Sequence, residues 1–435
     1  MNRRDFLIRS GLTMAAGVLA AKLPLPDARS AQSSADLHDW ETVRNQFPLS
    51  RDLIHMATFF LASHPTPVRE AIERHRRGLD ENPIGYWFDH EEKQEGEVLH
   101  AAADYLGVHS TDIALTDSTT MGLGLLYGGL TLREGQEVLT TIHDHYSTET
   151  SLRLRAARTG AVVRQIPLYR KLDTVSKEEI VETLIESVQP RTRIVAVTWV
   201  HSSTGLKLPI REMAEALSRV NADRADDERA LLCVDGVHGL GVEDLRLPDL
   251  GCDFFIAGTH KWLFGPRGTG FVWGHPRAWQ VAQATIPTFN FDAYRVWTKE
   301  IPPKDIPVGA VMTPGGFHSF EHRWALGEAF RFHQTIGKAR IAERIYALND
   351  QLKDGLIHLR HVKLHTPRSR DLSAGIVCFE VDGWKPDRVV EQFRQRRIIA
   401  SVTPYAEQYV RLAPSLLTSP KEVEQTVQAI RTIRS

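Results

Sequence analysis

Short apolar runs alternate with amphipathic segments over the first two thirds of the chain. Apolar runs that end in polar or glycine-containing turns are typical of strands buried on both faces of a sheet. The predicted strands cover residues 53–57, 112–116, 137–140, 161–166, 193–199, 230–235, 253–257 and 270–273.

The segments between these runs carry apolar residues at helical spacing. The predicted helices cover residues 65–79, 96–106, 147–158, 177–188 and 210–220. One more helix begins somewhere in 117–122 and runs to residue 130. The helix predicted at 96–106 ends at Gly107, and glycine readily adopts the left-handed conformation that closes a helix. Strands that alternate with helices imply βαβ units, so we predict an α/β fold with a mostly parallel sheet.

The pattern changes after residue 285. Proline becomes frequent at 286–314, which indicates a loop-rich passage, and a smaller α+β unit follows. Its predicted elements are a long helical stretch at 324–359, strands at 375–381, 398–400 and 409–412, a helix at 386–396 and a terminal helix from residue 421. We therefore expect a large α/β domain at residues 36–310, whose N-terminal segment packs onto a small domain at residues 311–435.

The first residues have the composition of an export signal. A twin-arginine pair, Arg3-Arg4, precedes a short Gly- and Ala-rich apolar run at 11–21 and a small-residue region. Such a run is too short and too rich in glycine to be typical of a membrane span, whereas twin-arginine signals direct bacterial export. We predict a signal peptide at residues 1–35, cleaved between Ser30 and Ala35, with the Tat export machinery as a partner. The mature protein is then periplasmic and not bound to a membrane. An amphipathic start to the first helix is the alternative.

Charge and cysteine content bear on the binding partners of the protein and on the state of its thiols. Lys plus Arg number 53 and Asp plus Glu 54, so nothing in the charge balance predicts a nucleic-acid or anionic-membrane partner. Cys233, Cys252 and Cys378 lack the spacing of metal ligands. Export would permit a disulfide. Because Cys233 and Cys378 lie inside apolar runs, we expect buried free thiols instead.

Polar residues that follow two predicted strands carry the candidate chemistry. Asp235 ends one apolar run, with His238 just beyond it, and Lys261 follows another run in Thr259-His260-Lys261. The carboxyl ends of parallel strands meet at one crevice, which would bring Asp235 and Lys261 together. A lysine that forms a Schiff base and an aspartate that holds a pyridinium nitrogen are central to pyridoxal phosphate (PLP) enzymes. Taken singly, a turn-capping role explains Asp235 equally well, and an exposed lysine after a strand explains Lys261 better.

Two other segments fit the same chemistry. Thr119 and Thr120 stand at a strand end and helix start, where backbone N–H groups and hydroxyls can bind phosphate, although Ser and Thr are also ordinary helix caps. The segment His143-Asp144-His145-Tyr146 could place His143, His145 or Tyr146 against a pyridine ring. Metal ligands or loop residues are the alternatives, and the spacing lacks the helical pair of a zinc site.

Taken together, the motifs resemble the class V aminotransferase family of fold type I PLP enzymes. They are Asp235-Gly236-Val237-His238, Gly258-Thr259-His260-Lys261 and Gly265-Pro266-Arg267-Gly268-Thr269-Gly270. A further segment, from Val200-His201-Ser202-Ser203 to Leu208-Pro209-Ile210, is similar to the isopenicillin N epimerase-like branch. The likeness extends over nearly all of the chain after residue 45. It implies a large domain with a mostly parallel seven-stranded sheet and a smaller C-terminal α+β domain.

The resemblance also implies a role for each candidate residue. Lys261 would form the Schiff base and later move protons, Asp235 would pair with the pyridine nitrogen, and His238 would approach the ring oxygen. Arg411 corresponds to the arginine that binds a substrate carboxylate. The remaining cofactor-binding residues it implies are Thr119, Thr120, Thr259 and His260 at the phosphate, His145 on the ring, and Ser203.

Two departures from the family pattern matter. Family members often carry a Gly-Thr pair that reaches the phosphate of the neighbouring subunit in a homodimer, but the matching region here reads Pro314-Gly315-Gly316-Phe317-His318-Ser319. No cysteine lies in a mobile loop, where a desulfurase keeps its sulfur-accepting thiol. The contact of such a pair with the phosphate is therefore not predicted for this chain, although a homodimer remains an implication of the family. The lack of a loop cysteine disfavours sulfur transfer.

The leader and the resemblance together imply a periplasmic PLP enzyme close to those that tailor the siderophore pyoverdine. The expected substrate is the N-terminal glutamate of a pyoverdine precursor, modified toward a succinamide side chain. An aminotransferase or epimerase-like racemase that acts on another amino acid or peptide is the alternative among enzymes. A non-catalytic binding protein on the same fold is the alternative of another class, but such a protein would need neither Lys261 nor Asp235.

Overall fold

The computed structural model describes residues 37–303 and 306–433. The predicted signal peptide at residues 1–35 lies outside this part of the chain, so its cleavage and the export of the protein stay predictions. Within the described ranges, no helix combines the length and the apolar character that a bilayer crossing requires.

A seven-stranded sheet forms the centre of the larger part of the molecule. In spatial order its strands are Ile113–Thr116, Gly270–Gly274, Phe254–Gly258, Leu231–Asp235, Thr192–Thr198, Glu137–Thr141 and Val162–Ile166. Gly270–Gly274 runs antiparallel to both of its neighbours, and the other pairs are parallel. The predicted α/β class with a mostly parallel sheet is confirmed.

Apolar residues of the central strands enter two hydrophobic cores, one on each face of the sheet. Phe255 lies in one core, and its neighbours Phe254 and Ile256 lie in the other, as the alternation of side chains along a strand requires. The helices that cover the two faces are Thr119–Gly129, Tyr146–Thr159, Lys177–Ser187, Ile210–Val220, Leu247–Leu250 and Pro276–Trp279. Burial on both faces explains why these strands are continuously apolar.

The C-terminal part contains a four-stranded antiparallel sheet in the order Ser401–Val402, Val410–Leu412, Val377–Val381 and Val362–Leu364. Its accompanying helices are Lys338–Ile357, Pro386–Gln395 and Pro420–Arg431. The N-terminal strand Ile54–His55 pairs in parallel with Ile398–Ile399, so the start of the described chain contacts this unit. The boundary at residues 310 and 311 stays a prediction.

The N-terminal helices Trp40–Asn45, Thr66–Glu81 and Pro83–Leu106 complete the molecule, and Phe320–Ile336 packs against the last two. The helix that ends at Leu106 begins at Pro83, well before the predicted start at 96, because proline is favoured in a first helical turn.

Two other predictions were too coarse. The predicted helical stretch 324–359 is two helices, Phe320–Ile336 and Lys338–Ile357, separated by Gly337 with a φ of 97° that interrupts a helix. The loop-rich passage 286–314 contains two short helices, Phe291–Trp297 and Val308–Met312.

Candidate active site

A crevice at the carboxyl ends of the central strands brings most of the predicted site residues together. Leu231–Asp235 ends in Asp235, and the adjacent parallel strand Phe254–Gly258 is followed by Thr259-His260-Lys261. The residues that line the crevice are Phe59, Phe60, Ser118, Thr119, Thr120, His145, Ser147, Thr198, Ser202, Asp235, Val237, His238, His260, Lys261, Pro404 and Arg411. Asp235 and Lys261 therefore line one cavity.

Lys261 is held in this crevice as a weakly basic amine. Its Nζ lies 3.2 Å from Nε2 of His238. Burial lowers the pKa of Lys261 to about 8, against the opposing effect of the Asp235 carboxylate. A buried lysine with a lowered pKa is a free amine more often than a surface lysine is, and the free amine is the nucleophilic form.

Asp235 is a buried carboxylate without a cationic partner. It is 3% exposed and accepts a hydrogen bond from the backbone N–H of Val237 at 3.1 Å. No Lys, Arg or His nitrogen of residues 37–303 and 306–433 lies within ion-pair distance of it, and burial raises the pKa of its carboxyl to about 6. Because an unpaired buried carboxylate is costly, Asp235 fits a ligand with a protonated ring nitrogen.

Arg411 presents the converse case, a buried cation without an anion. Its Nε donates to Ser401 Oγ and its Nη1 to the carbonyl of Ser202, both at 3.1 Å. The guanidinium carbon lies 4.6 Å from the ring centre of Phe59. The side chain is 3% exposed, and within the described chain no carboxylate pairs with it. A planar guanidinium held in this way suits a carboxylate ligand.

The start of helix Thr119–Gly129 and the segment after strand Phe254–Gly258 form another part of the crevice wall. Ser118 caps the helix, and Thr119 Oγ accepts a hydrogen bond from the Gly258 N–H at 2.7 Å. A methyl group on Gly258 would lie only 3.0 Å from Thr119 Oγ and 3.2 Å from His260 Cε1. His260 Nδ1 is buried and has no hydrogen-bond partner in the part of the chain described. A helix start beside an unpartnered imidazole nitrogen fits a phosphate.

The structure separates the members of the segment His143-Asp144-His145-Tyr146. His145 lines the crevice and caps helix Tyr146–Thr159, with its Nδ1 accepting from the N–H of Ser147 at 3.2 Å. His143 stacks on Tyr169 at 4.4 Å, and Tyr146 is 73% exposed. Of the rings left open by the sequence, His145 is therefore the one placed to contact a ring in the crevice.

Asp144 has a structural role. Its carboxylate accepts hydrogen bonds from the backbone N–H of Thr141 at 2.8 Å and of Thr198 at 2.7 Å, which ties two strands of the sheet together. No cluster of three or more His, Cys, Asp or Glu side chains in the described ranges could hold a metal ion.

Two predicted cofactor-binding residues do not line the crevice. Thr259 is fully buried, and its hydroxyl hydrogen-bonds to Thr269 behind the strand end. Ser203 is replaced at the crevice by its neighbour Ser202, whose Oγ lies 2.8 Å from the hydroxyl of Tyr405. The two serines share one turn, so the sequence pattern could not tell which of them faces the cavity.

Several lining residues were missed. Thr198 ends the strand Thr192–Thr198, and its place at the carboxyl end of a parallel strand predicts it in the same way as Asp235. Phe59, Phe60 and Pro404 come from connections between elements, and no periodicity places such residues.

A lysine, an unpaired aspartate and an open helix start at the carboxyl edge of a mostly parallel sheet define a fold type I PLP-dependent enzyme. The profile of the family Aminotransferase class-V matches residues 93–403. The chain belongs to this family, and its cofactor is pyridoxal phosphate.

Individual relatives agree with this assignment. The chain is similar to isopenicillin N epimerase of Streptomyces clavuligerus, with 24% identity over 90% of this chain and 98% of that protein. It is also similar to a probable cysteine desulfurase of Halalkalibacterium halodurans, with 28% identity over 64% of each chain. Among solved structures, the cystine C-S lyase C-DES in complex with cysteine persulfide has a TM-score of 0.79 and 22% identity over 90% of this chain and 100% of that chain. This last likeness concerns the fold.

Proposed function

We propose that the protein is an exported PLP enzyme that acts on the amine of an amino acid or peptide with a free carboxylate. The observation that carries the proposal is the buried guanidinium of Arg411, which lacks an anionic partner and lines the same crevice as Lys261. A substrate carboxylate supplies the missing negative charge, and its binding holds the substrate amine within the crevice.

The other residues have complementary tasks. When bound, PLP supplies a protonated heteroaromatic ring that withdraws electrons from the substrate. Asp235 keeps the ring nitrogen protonated, and Thr119, Thr120 and His260 hold the phosphate. Lys261 Nζ takes up and returns a proton at the substrate, since its pKa of about 8 lies close to neutral pH.

The cysteines do not favour sulfur transfer through a protein thiol. All three are buried and free, and none lines the crevice. Burial raises the pKa of Cys378 to about 12, and the pKa of Cys233 and Cys252 is raised as well. A sulfur-accepting thiol needs exposure and a large thiolate fraction, and these cysteines offer neither.

The finer proposal names the substrate and the compartment. We infer that the substrate is the N-terminal glutamate of a pyoverdine precursor, modified toward a succinamide side chain in the periplasm. This conversion is an oxidation that releases the α-carboxylate as CO2, so the proposal requires molecular oxygen as a second substrate, which is reduced to water. The twin-arginine pair Arg3-Arg4 and the epimerase-like segment at 200–210 support this proposal. Export through the Tat machinery and a homodimer, which is typical of the family, are parts of it.

The direct test is turnover of a glutamate-terminated pyoverdine precursor by the PLP-loaded protein, followed by mass spectrometry. We expect the glutamate to be converted toward succinamide by the wild type and not by Lys261→Ala, which also loses the absorbance of linked PLP. Arg411→Gln should keep that absorbance but raise KM about 100-fold, because a buried charged hydrogen-bonded contact is lost.

Other products would indicate a different reaction. A 2-oxo acid would indicate transamination, and solvent deuterium at the α-carbon without a change in composition would indicate epimerisation. Unchanged pyoverdine side chains in a deletion strain would remove the siderophore substrate and leave the PLP enzyme in place. A protein that stays colourless with PLP would overturn the enzyme itself and favour a binding protein.

A further inference from the structure

We propose that Trp262 is a positioning residue that keeps the proton of His238 on Nε2 and thereby favours the neutral amine form of Lys261. The proposal deepens the proposed function, since it rests on Lys261 as the amine that binds the cofactor. It concerns three side chains that the structure places in a row.

The indole of Trp262 determines which nitrogen of His238 carries the proton. Trp262 Nε1 lies 3.3 Å from Nδ1 of His238. An indole N–H can only donate, so Nδ1 must accept and cannot carry a proton. A neutral imidazole has one N–H, which is therefore on Nε2.

The Nε2–H of His238 in turn selects the protonation state of Lys261. Nε2 lies 3.2 Å from Lys261 Nζ. A free amine has a lone pair that accepts this hydrogen, whereas an ammonium group has only donors. The contact is therefore a hydrogen bond when Lys261 is neutral. When Lys261 is charged, two donors face each other and no hydrogen bond forms.

Packing holds the rings in this arrangement. His238 is 5% exposed and Trp262 is 1% exposed. Phe59 stacks on Trp262 at 6.0 Å and packs against His238 at 5.7 Å. Neither ring can turn away without opening this aromatic cluster, so the hydrogen-bond direction is built into the fold.

The other charges around Lys261 do not enforce the neutral state by themselves. The carboxylate of Asp235 favours the ammonium form, while the guanidinium of Arg411 disfavours it. His145 and His260 also face the amine, and burial lowers the pKa of both rings, so they are neutral at pH 7. The contact with His238 therefore adds to the desolvation of Lys261 and opposes Asp235.

The test measures the basicity of Lys261 in the full-length chain after removal of PLP with hydroxylamine. Trace acylation by isotope-tagged acetic anhydride at a series of pH values gives the pKa of Lys261 from its labelled peptide. In Trp262→Phe, the ring volume is largely kept and the N–H is lost, so His238 can move its proton to Nδ1 and accept from an ammonium. We expect the pKa of Lys261 to rise by about half to one unit, the size of one hydrogen bond.

Trp273→Phe is the matched control. Trp273 is also buried, but its indole N–H has no hydrogen-bond partner in the described chain. Its substitution should leave the pKa of Lys261 unchanged. Equal pKa values in the wild type and both variants would overturn the proposal and leave Trp262 with a packing role only.

A second measurement needs no variant of Trp262. In protein with ¹⁵N-labelled histidine, the ring resonances that disappear in His238→Gln belong to His238, and Nδ1 should resonate as the unprotonated nitrogen with or without PLP. A protonated Nδ1 of His238 in the wild type would contradict the proposal. Neither measurement depends on substrate turnover, so a wrong substrate and a wrong tautomer give different results.

Discussion

At the residue scale, the crevice contains two buried charges of opposite sign that lack counter-ions within the described chain. Asp235 and Arg411 are each 3% exposed, and neither forms an ion pair there. Burying an unpaired charge is costly, so the rest of the fold must stabilise this arrangement. Binding sites retain such charges because a ligand neutralises them. In the proposed function, a protonated ring nitrogen would pair with Asp235 and a substrate carboxylate with Arg411.

The charge of Asp235 should therefore reduce stability when PLP is absent. Burial raises the pKa of this carboxyl from 3.8 to about 6. The folded state thus binds the proton more tightly than the unfolded state, and stability falls as pH rises from about 4 to 6. Asp235→Asn should match the wild type at pH 4 and exceed it by about 3 kcal/mol above pH 6.5. Urea unfolding of the cofactor-free proteins across this range measures the difference, and a constant difference would contradict the prediction.

At the scale of elements, the site depends on the close approach of a strand end to a helix start. The N–H of Gly258 donates to Thr119 Oγ at 2.7 Å, and a methyl group on Gly258 would lie 3.0 Å from that oxygen, so Thr119 or the strand end would have to shift to accept it. The approach joins Phe254–Gly258, which leads to Lys261, to Thr119–Gly129, whose N-terminus would bind the phosphate in the proposed function. In the proposed function, the cofactor would be held between two elements that contact each other in the core.

Gly258→Ala should weaken PLP binding by about tenfold or more, because the added methyl group crowds Thr119 and His260. Gly124→Ala is the control. Gly124 lies in helix Thr119–Gly129, and no atom lies within 4 Å of a methyl group at this position. That control should bind PLP normally and gain up to about 1 kcal/mol of stability. Fluorescence titration with PLP and thermal unfolding distinguish the two variants. Equal PLP affinity in the two variants would show that the strand end can move enough to accommodate the methyl group, which would contradict the prediction.

At the scale of the whole molecule, many histidines are buried or half-buried in the neutral form. Burial lowers their pKa to about 4 for His64, His75, His143, His201 and His318. For His333 burial lowers the pKa to about 3. Each of these rings binds a proton more readily in the unfolded chain, so the folded state loses stability as pH falls from about 6.5 to 4.

His201→Leu isolates one part of this acid sensitivity. His201 is 1% exposed, and its ring nitrogens have no hydrogen-bond partner in the described residues. Its pKa of about 4 in place of 6.5 corresponds to about 3 kcal/mol that the wild type loses over this pH range and the variant keeps. Calorimetric melting at pH 7 and pH 4.5 should show a smaller drop in the variant. An equal drop would mean that the ring has a partner when charged.

The pattern of apolar runs was sufficient to predict the α/β class and most strands, because buried parallel strands must be continuously apolar. It was also sufficient to bring Asp235 and Lys261 together, since both follow strands whose carboxyl ends share an edge. Helix bounds were less certain where glycine or proline acts locally, as at Pro83 and Gly337. Proline fits a first helical turn as well as a loop, and glycine adopts both left- and right-handed conformations, so packing selects among the alternatives.

The amino-acid order determined the layered fold, the family and the identity of the charged residues, because these follow from local periodicity and from motifs. Three-dimensional packing decided which members of a polar segment face the cavity. It directed His145 and Ser202 into the crevice, and His143, Thr259 and Ser203 away from it. It also set Trp262 against His238. Such choices depend on side-chain contacts between segments far apart in the chain, and no local pattern records them.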